Sequence, residues 1–195
     1  MKIFIVYCHP SKDSFTHSIL DSFMKGLKAA GHEYVVSDLY EMEFKTDISE
    51  EEYFKETYYR TEIPVAEDVM KEQKKIQECD AIVFIYPVFW TEAPAKLVGW
   101  FDRVWTSGFA YNPNPTMKIL EKALFLVCAG KTLQSLEEDG EKVAMETVML
   151  GDRIRYRAKN KAMFIFDGIT RWNEEERKER IPEHLREAYR LGSTF

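Results

Sequence analysis

The sequence predicts an α/β domain in which helices cover both faces of a parallel β-sheet. Two observations carry this prediction. Five short apolar runs, rich in β-branched and aromatic residues and typical of strands buried on both faces, recur along the chain. Between them, apolar residues return at helical spacing. The 195 residues suffice for one sizeable core and fall short of what two domains usually need, so we expect one domain over residues 1–195.

Each predicted strand is short, apolar and bounded by turn residues. The predicted strands are residues 2–8, 34–36, 81–86, 123–128 and 162–166. We expect the third strand to stop at Pro87, because proline lacks the amide hydrogen that a central strand donates.

Capping residues mark most of the predicted helices. Ser14 is a plausible N-cap, and Ser49 with Glu52 fits a capping box. Pro94 suits the first turn of a helix, where its missing amide hydrogen costs nothing. Asn173 precedes three glutamates, which fit the positive end of a helix dipole. The predicted helices cover residues 14–30, a short segment after 49, 64–78, 94–106, about 141–150 and 173–190.

Composition narrows the class of protein. The hydrophobic fraction of 45% excludes a disordered chain, and the longest apolar runs, about eight residues, are too short for a membrane helix of roughly 20. We expect no signal peptide, because the N-terminus runs directly into the first predicted strand without a small-residue cleavage site. Three widely spaced cysteines argue against a disulfide framework and predict a reducing, cytoplasmic compartment. The formal charge of −6 argues against a nucleic-acid partner.

Three segments that follow predicted strands form a candidate ligand site. The loop from His9 to Ser14 enters a helix N-terminus, where free amides and the dipole suit a phosphate. The turn after the third strand carries Phe89 and Trp90, and Gly130 follows the fourth strand, where a missing side chain lets a flat ring approach. Each segment alone also fits ordinary capping, a hydrophobic staple or a strand-ending turn. Their coincidence at the carboxyl edge of the sheet favours a planar, phosphate-bearing ligand.

Other chemistries find no support in the sequence. The glycine-rich dinucleotide and P-loop patterns are absent. No histidine or cysteine spacing is typical of a metal site, and no nucleophile–base arrangement is evident. The charged run over residues 153–161 is interpreted as a solvated face.

Over residues 3–111 the sequence resembles the flavin-dependent NAD(P)H:quinone oxidoreductases with a flavodoxin-like fold. The resemblance rests on several motifs in order. They are His9-Pro10 with Ser14-Phe15, Ser37-Asp38-Leu39-Tyr40, Glu72-Gln73-Lys74-Lys75, Pro87-Val88-Phe89-Trp90, Lys96-Leu97-Val98-Gly99-Trp100-Phe101-Asp102-Arg103 and Gly108-Phe109-Ala110-Tyr111. The resemblance implies a flavodoxin-like, doubly wound sheet of five strands in the order 2-1-3-4-5.

The resemblance also implies a function: two-electron hydride transfer from NAD(P)H through non-covalent FAD or FMN to a quinone-like acceptor, by a ping-pong route in a homodimer. The implied cofactor residues are His9, Ser14, Phe15 and Thr16 at the phosphates and ribityl chain, Pro87, Val88, Phe89, Trp90 and Thr91 at the ring edge, and Gly130 beside the ring. Trp90 and Tyr111 are the implied catalytic residues, and Tyr111 matches a residue that reaches the partner's active site.

Departures from the family pattern keep alternatives open. Thr16 stands where asparagine is usual, and residues 128–131 replace a Thr-Thr-Gly-Gly-like turn. The Tyr and His that assist hydride transfer in the mammalian enzymes have no convincing counterpart after Leu133. Lys131 either stabilises the reduced flavin or is a solvated surface lysine, and we favour the latter. The alternative functions are a one-electron flavodoxin shuttle and a regulatory subunit, similar to the ancillary proteins of glutathione-gated potassium efflux systems, that docks on a membrane protein through residues 50–59.

Overall fold

The computed structural model describes residues 1–195, which form five strands, seven α-helices and one π-helical segment. In chain order these are β1 Lys2–Tyr7, α1 Phe15–Ala29, β2 Glu33–Asp38, α2 Glu50–Thr57, α3 Glu67–Glu78, β3 Ala81–Pro87, α4 Ala95–Val104, β4 Leu120–Cys128, α5 Leu133–Glu138, α6 Glu141–Glu146, the π-helical segment Thr147–Ile154, β5 Ala158–Phe166 and α7 Glu174–Ser193. No helix is both long and apolar enough to cross a membrane.

All five strands are parallel and lie in the order β2-β1-β3-β4-β5, which confirms the flavodoxin-like, doubly wound sheet. The central strand β3 is buried along its whole length, as its continuous apolar sequence predicts. The chain winds outward from β1 to β2 on one side and from β3 to β5 on the other. The crevice beyond the carboxyl ends of β1 and β3 is therefore the topological switch point of the sheet, where such folds bind ligands.

The sheet has a separate hydrophobic core on each face. On one face, Phe84 packs against Trp100 and Phe101 of α4. On the other face, α1 and α7 cover β1, β3 and β4 and cross each other at Gly26 and Gly192. A β-carbon on Gly26 would overlap the Tyr189 carbonyl oxygen, so only glycine permits this approach of the two backbones. This crossing fixes α1, whose first turn faces the switch point.

A fully buried carboxylate connects three elements on the α4 face. Glu72 of α3 accepts hydrogen bonds from the Ser37 hydroxyl of β2 at 3.0 Å, from Lys75 Nζ at 2.6 Å and from Trp100 Nε1 at 2.9 Å. These three donors stabilise the buried carboxylate. Removing one of them would leave the charge incompletely hydrogen-bonded in the low-dielectric core, which is costly. The family motifs that contain Glu72 and Trp100 therefore have a structural explanation in this chain.

Several local predictions hold in detail. Ser14 caps α1 by accepting from the His17 amide at 3.0 Å. Both hydrogen bonds of the predicted capping box form, from the Glu52 amide to Ser49 Oγ at 3.1 Å and from the Ser49 amide to Glu52 Oε2 at 2.8 Å.

Other boundaries need correction. The third strand does stop at Pro87, as predicted, but Pro87 itself is its last residue. The following amide of Val88 donates to the Cys128 carbonyl, and the missing proline hydrogen costs nothing at this position. The helix expected from residue 64 begins at Glu67, where the first helix-favouring carboxylates occur. Pro94 is the N-cap residue of α4 instead of a first-turn residue. The region expected to form one helix near 141–150 contains α6 and the π-helical segment, with α5 before them.

Candidate functional site

A cavity of about 330 Å³ opens at the carboxyl edge of the sheet, beside the switch point. We call it the carboxyl-edge cavity. Its walls come from the loops after β1, β3, β4 and β5 and from the first turn of α7. The lining residues are His9, Ser11, Asp13, Ser14, Phe15, Thr16, Pro87, Val88, Cys128, Ala129, Gly130, Ile169, Arg171 and Arg177. Seven of the ten predicted cofactor residues thus share one cavity: His9, Ser14, Phe15, Thr16, Pro87, Val88 and Gly130.

The N-terminus of α1 forms one end of this cavity. Phe15 and Thr16 are the first two residues of the helix, so their amides have no carbonyl one turn earlier to bind, and no side chain bonds to them. The Thr16 side chain itself is buried and lies beside the Cys128 thiol, whose pKa burial raises to about 12. Two free amides at the positive end of a 15-residue helix can bind a phosphate.

His9 adds a further donor at this end. Its Nδ1 lies 2.9 Å from the Ser11 amide nitrogen and 3.0 Å from the Ser11 carbonyl oxygen. Burial lowers the pKa of His9, so the imidazole is neutral at pH 7 and its Nδ1 accepts from the Ser11 amide. The proton then resides on Nε2, which has no partner within the chain.

The turn after β3 offers only some of the backbone amides of the residues that the resemblance places at the ring edge. The Val88 amide donates to the Cys128 carbonyl at 2.8 Å, and Phe89 and Glu92 exchange two backbone hydrogen bonds at 2.9 and 3.1 Å. Only the amides of Trp90 and Thr91 remain without a partner. Phe89, Trp90 and Thr91 do not line the carboxyl-edge cavity; Trp90 stands at the tip of the turn with φ of 59° and a side chain 97% exposed.

The turn after β4 places Gly130 in the cavity wall with free space around it. A β-carbon on Gly130 would meet only the Thr170 β-carbon, at 3.8 Å, and the residue has an ordinary backbone conformation. The neighbouring Lys131 is a salt-bridged surface residue, which confirms the interpretation favoured above. Its ammonium binds Asp139 at 2.9 Å and Glu141 at 2.6 Å, outside the cavity.

The segment after β5 also contributes to the cavity wall, and this contribution was not predicted. Ile169 and Arg171 from the β5 loop and Arg177 from α7 complete the wall. The Nε atom of Arg177 is buried and has no hydrogen-bond partner, and its guanidinium lies 3.5 Å from Glu174. One signal was available: because β5 is parallel to the other strands, its following residues must emerge at the same edge.

A different groove between α2 and α3, of about 290 Å³, is lined by ion pairs. Arg103 crosses it and donates to Glu52 at 2.7 and 3.0 Å, to Asp68 at 2.5 and 3.1 Å and to the Lys45 carbonyl at 3.0 Å. Every donor of this buried guanidinium is used, so Arg103 joins α2, α3 and the loop at Lys45 and has no free donor for a ligand.

Tyr111 lies away from the carboxyl-edge cavity. The helix α4 leads the chain from the carboxyl edge back to the amino edge, so the loop before β4 carries Tyr111 at the opposite end of the sheet from Gly130. There Tyr111 lines a second groove of about 340 Å³, which we call the amino-edge cavity, together with Glu56, Phe101, Trp105 and Arg157 among others. No three His, Cys, Asp or Glu side chains form a metal-binding group anywhere in the chain.

Comparisons with protein families, solved structures and known sequences all match this chain to proteins with a flavodoxin-like fold or to quinone oxidoreductases. The profile of a family described as having a flavodoxin-like fold matches residues 1–191. The solved structure of an NAD(P)H:quinone oxidoreductase from Methanothermobacter marburgensis is 42% identical, with 98% of this chain and 96% of that chain covered and a TM-score of 0.89. NAD(P)H dehydrogenase [quinone] 1 of Cavia porcellus is 36% identical over 120 residues, 55% of this chain and 44% of that protein, so the chain spans less than half of that relative.

A further neighbour carries a bound flavin. The FMN-dependent NADH-azoreductase from Bacillus anthracis str. Ames Ancestor, solved in complex with FMN, covers 98% of this chain and all of its own at a TM-score of 0.66. Its sequence identity of 14% supports the shared fold alone.

Proposed function

Because this chain belongs to the flavodoxin-like NAD(P)H:quinone oxidoreductase family, we propose that it transfers two electrons as hydride from NAD(P)H, through a flavin in the carboxyl-edge cavity, to a quinone-like acceptor. One observation carries the proposal. The carboxyl-edge cavity combines a helix N-terminus with two free amides, an unpartnered buried guanidinium nitrogen and a glycine with space beside it. These are the donors and the clearance that a flavin phosphate and a flat ring require.

The phosphate end is assigned to α1 and α7. The amides of Phe15 and Thr16, the Nε2 proton of His9 and the free Nε of Arg177 are the donors there. FAD and FMN share the phosphate that these groups would hold. Arg171 is exposed and has no partner, so we assign it to the second phosphate, which only FAD carries.

The ring end is assigned to the turns after β3 and β4. A bound flavin supplies the hydride chemistry itself. The unpartnered amides of Trp90 and Thr91 are preorganised donors for the ring edge, where they stabilise negative charge without reorganisation. Gly130 leaves the ring room to approach.

The acceptor side requires a second copy of the chain. Tyr111 stands at the amino edge, so it can contact an acceptor above the flavin only in a partner subunit. The exposed aromatic residues of the neighbouring helix α2, Tyr53 and Phe54 with Tyr58, which caps its C-terminal end, offer the apolar surface such a homodimer would bury. We therefore include a homodimer, with each acceptor site completed by the partner's Tyr111, in the proposal.

The test is an absorbance spectrum of the purified protein after addition of FAD or FMN and desalting, followed by anaerobic NADPH and then NADH. We expect one flavin to remain bound and to bleach to its two-electron reduced form, and menadione to restore the oxidised spectrum. Retained flavin that NAD(P)H does not bleach would favour the regulatory or shuttle functions. A protein that retains neither flavin would refute the assignment of the carboxyl-edge cavity.

A further inference from the structure

A buried ion pair at the end of α2 controls the surroundings of Tyr111. Glu56 accepts hydrogen bonds from the Tyr111 hydroxyl at 2.7 Å, from the Ser107 amide at 2.7 Å and from Lys55 Nζ at 2.9 Å. The Lys55 side chain is only 5% exposed. Although burial opposes ionisation of Glu56, the bonds from Ser107, Tyr111 and Lys55 outweigh it and lower the pKa of this carboxyl group. Glu56 is thus a carboxylate at pH 7.

The backbone of the loop around Tyr111 is fixed by other contacts. The Gly108 amide donates to the Tyr111 carbonyl at 2.9 Å, and Arg157 Nε donates to the Ala110 carbonyl at 2.9 Å. Gly108 has φ of 74°, and a β-carbon there would lie 2.6 Å from Thr61 Cγ2, so the loop also packs closely on the segment after α2. These contacts and the Ser107 amide bond to Glu56 hold the loop backbone, so the bond from the Tyr111 hydroxyl to Glu56 mainly fixes the tyrosine side chain.

The hydroxyl of Tyr111 has a single proton, which it donates in its hydrogen bond to Glu56. The oxygen lone pairs remain for any group in the amino-edge cavity, whose wall Tyr111 shares with Trp105 and Arg157. A neutral phenol would otherwise rotate its proton freely between donor and acceptor arrangements.

We propose that Glu56 is a positioning residue for the acceptor reaction, which fixes the ring and the hydroxyl proton of Tyr111 at the point where a partner subunit meets the acceptor. The inference rests on the proposed function, because it assumes that Tyr111 contacts the acceptor. Glu56 itself touches neither flavin nor acceptor. It acts on the acceptor through the tyrosine hydroxyl, whereas its bond from the Ser107 amide is one that a glutamine oxygen can also accept.

A double-mutant cycle tests this assignment with menadione as acceptor. Glu56→Gln and Tyr111→Phe should each lower kcat/KM for menadione by about two- to tenfold, the range for one hydrogen bond. In the Tyr111→Phe background, Glu56→Gln should cost nothing further, because the hydroxyl it positions is gone. Glu51→Gln, on the same helix and without a partner, is the matched control and should leave kcat/KM unchanged.

A spectroscopic readout separates positioning from a merely structural role. Burial and the bond to Glu56 raise the pKa of Tyr111. The ultraviolet difference between wild type and Tyr111→Phe should therefore show ionisation at higher pH than that of exposed tyrosines, and Glu56→Gln should move it to lower pH. If Glu56→Gln fails to retain flavin, Glu56→Asp replaces it in both experiments, because aspartate keeps the charge but places it one methylene further from Tyr111.

The outcomes are distinguishable. If the wild type is active but the losses in kcat/KM of the two single variants add in the double variant, the positioning role alone is overturned. The same holds if Glu56→Gln leaves the pKa of Tyr111 unchanged. A wild-type protein whose bound flavin neither NADPH nor NADH reduces would overturn the proposed function and this inference with it.

Discussion

Replacing Gly130 by alanine should stabilise the flavin-free protein and weaken flavin binding at the same time. The backbone of Gly130 is outside the left-handed region, and a β-carbon would make only an ordinary contact at 3.8 Å with Thr170. A compatible Gly→Ala change stabilises by about 0.4–1 kcal/mol by restricting the unfolded chain. For a chain of this length, that corresponds to a rise in Tm of roughly 1–4 °C.

The bound flavin would experience the opposite effect. The added methyl group would occupy the space that we assign to the ring, so we expect flavin affinity to fall at least about tenfold, equivalent to about 1.4 kcal/mol. Thermal unfolding of the flavin-free protein and a fluorescence titration with FMN and FAD measure the two effects separately.

Gly151→Ala is the matched control for this experiment. A β-carbon there also has space, with its first neighbour the Glu146 carbonyl at 4.0 Å, and the π-helical segment that contains Gly151 lies outside the carboxyl-edge cavity. Its flavin affinity should match that of the wild type. Equal affinities for wild type and Gly130→Ala would refute the position of the ring beside Gly130.

Four further changes test other parts of the structure. Gly26→Ala should lower the free energy of unfolding by about 1–3 kcal/mol in urea titrations, because its β-carbon overlaps the Tyr189 carbonyl; an unaffected midpoint would contradict the close helix crossing. Lys131→Met should leave the rate of flavin bleaching by NADPH unchanged, since its ammonium already binds two carboxylates, and a slower rate would show a role at the ring. Arg177→Gln should weaken flavin binding by about tenfold or more in the same titration, through loss of a charge-assisted bond, whereas equal affinity would remove this arginine from the phosphate site. Flavin affinity should rise as the pH falls through the pKa of His9, which burial lowers, because an imidazolium attracts phosphate; His9→Gln should abolish this part of the pH dependence, and an identical profile would exclude it.

Much of the fold was predictable because its signals are local. The uninterrupted apolar sequence of β3 indicated a strand covered on both faces. Ser14 and Ser49 indicated helix starts, because each side chain accepts a bond from the amide three residues further on. Residues 133–160 resisted prediction because tertiary contacts decide their path. The Trp105 indole, for example, donates to the Arg153 carbonyl at 2.6 Å within the π-helical segment. Nothing near Arg153 in sequence reveals that partner.

The candidate site likewise combines residues that local patterns predicted with residues that only tertiary contacts bring to it. The carboxyl ends of β1, β3 and β4 could be brought together from strand order alone, and His9, Thr16 and Gly130 do share the carboxyl-edge cavity. Arg177 was missed because it approaches the cavity from a helix far along the chain. The bond between Tyr111 and Glu56 spans 55 residues and depends on how α2 folds back on the loop, which no local pattern encodes.

The separation of Tyr111 from the carboxyl-edge cavity has a genetic consequence. If each reaction centre joins the cavity of one chain to the tyrosine of another, damage at the two ends of the sheet is complementable. A chain that cannot hold flavin still lends its tyrosine, and a chain with a defective tyrosine still holds flavin. When an allele without flavin and an allele impaired at the tyrosine are expressed together in equal amounts, random pairing into symmetric dimers would give about a quarter of all centres both an intact cavity and an intact tyrosine. Two alleles damaged at the same end would restore none.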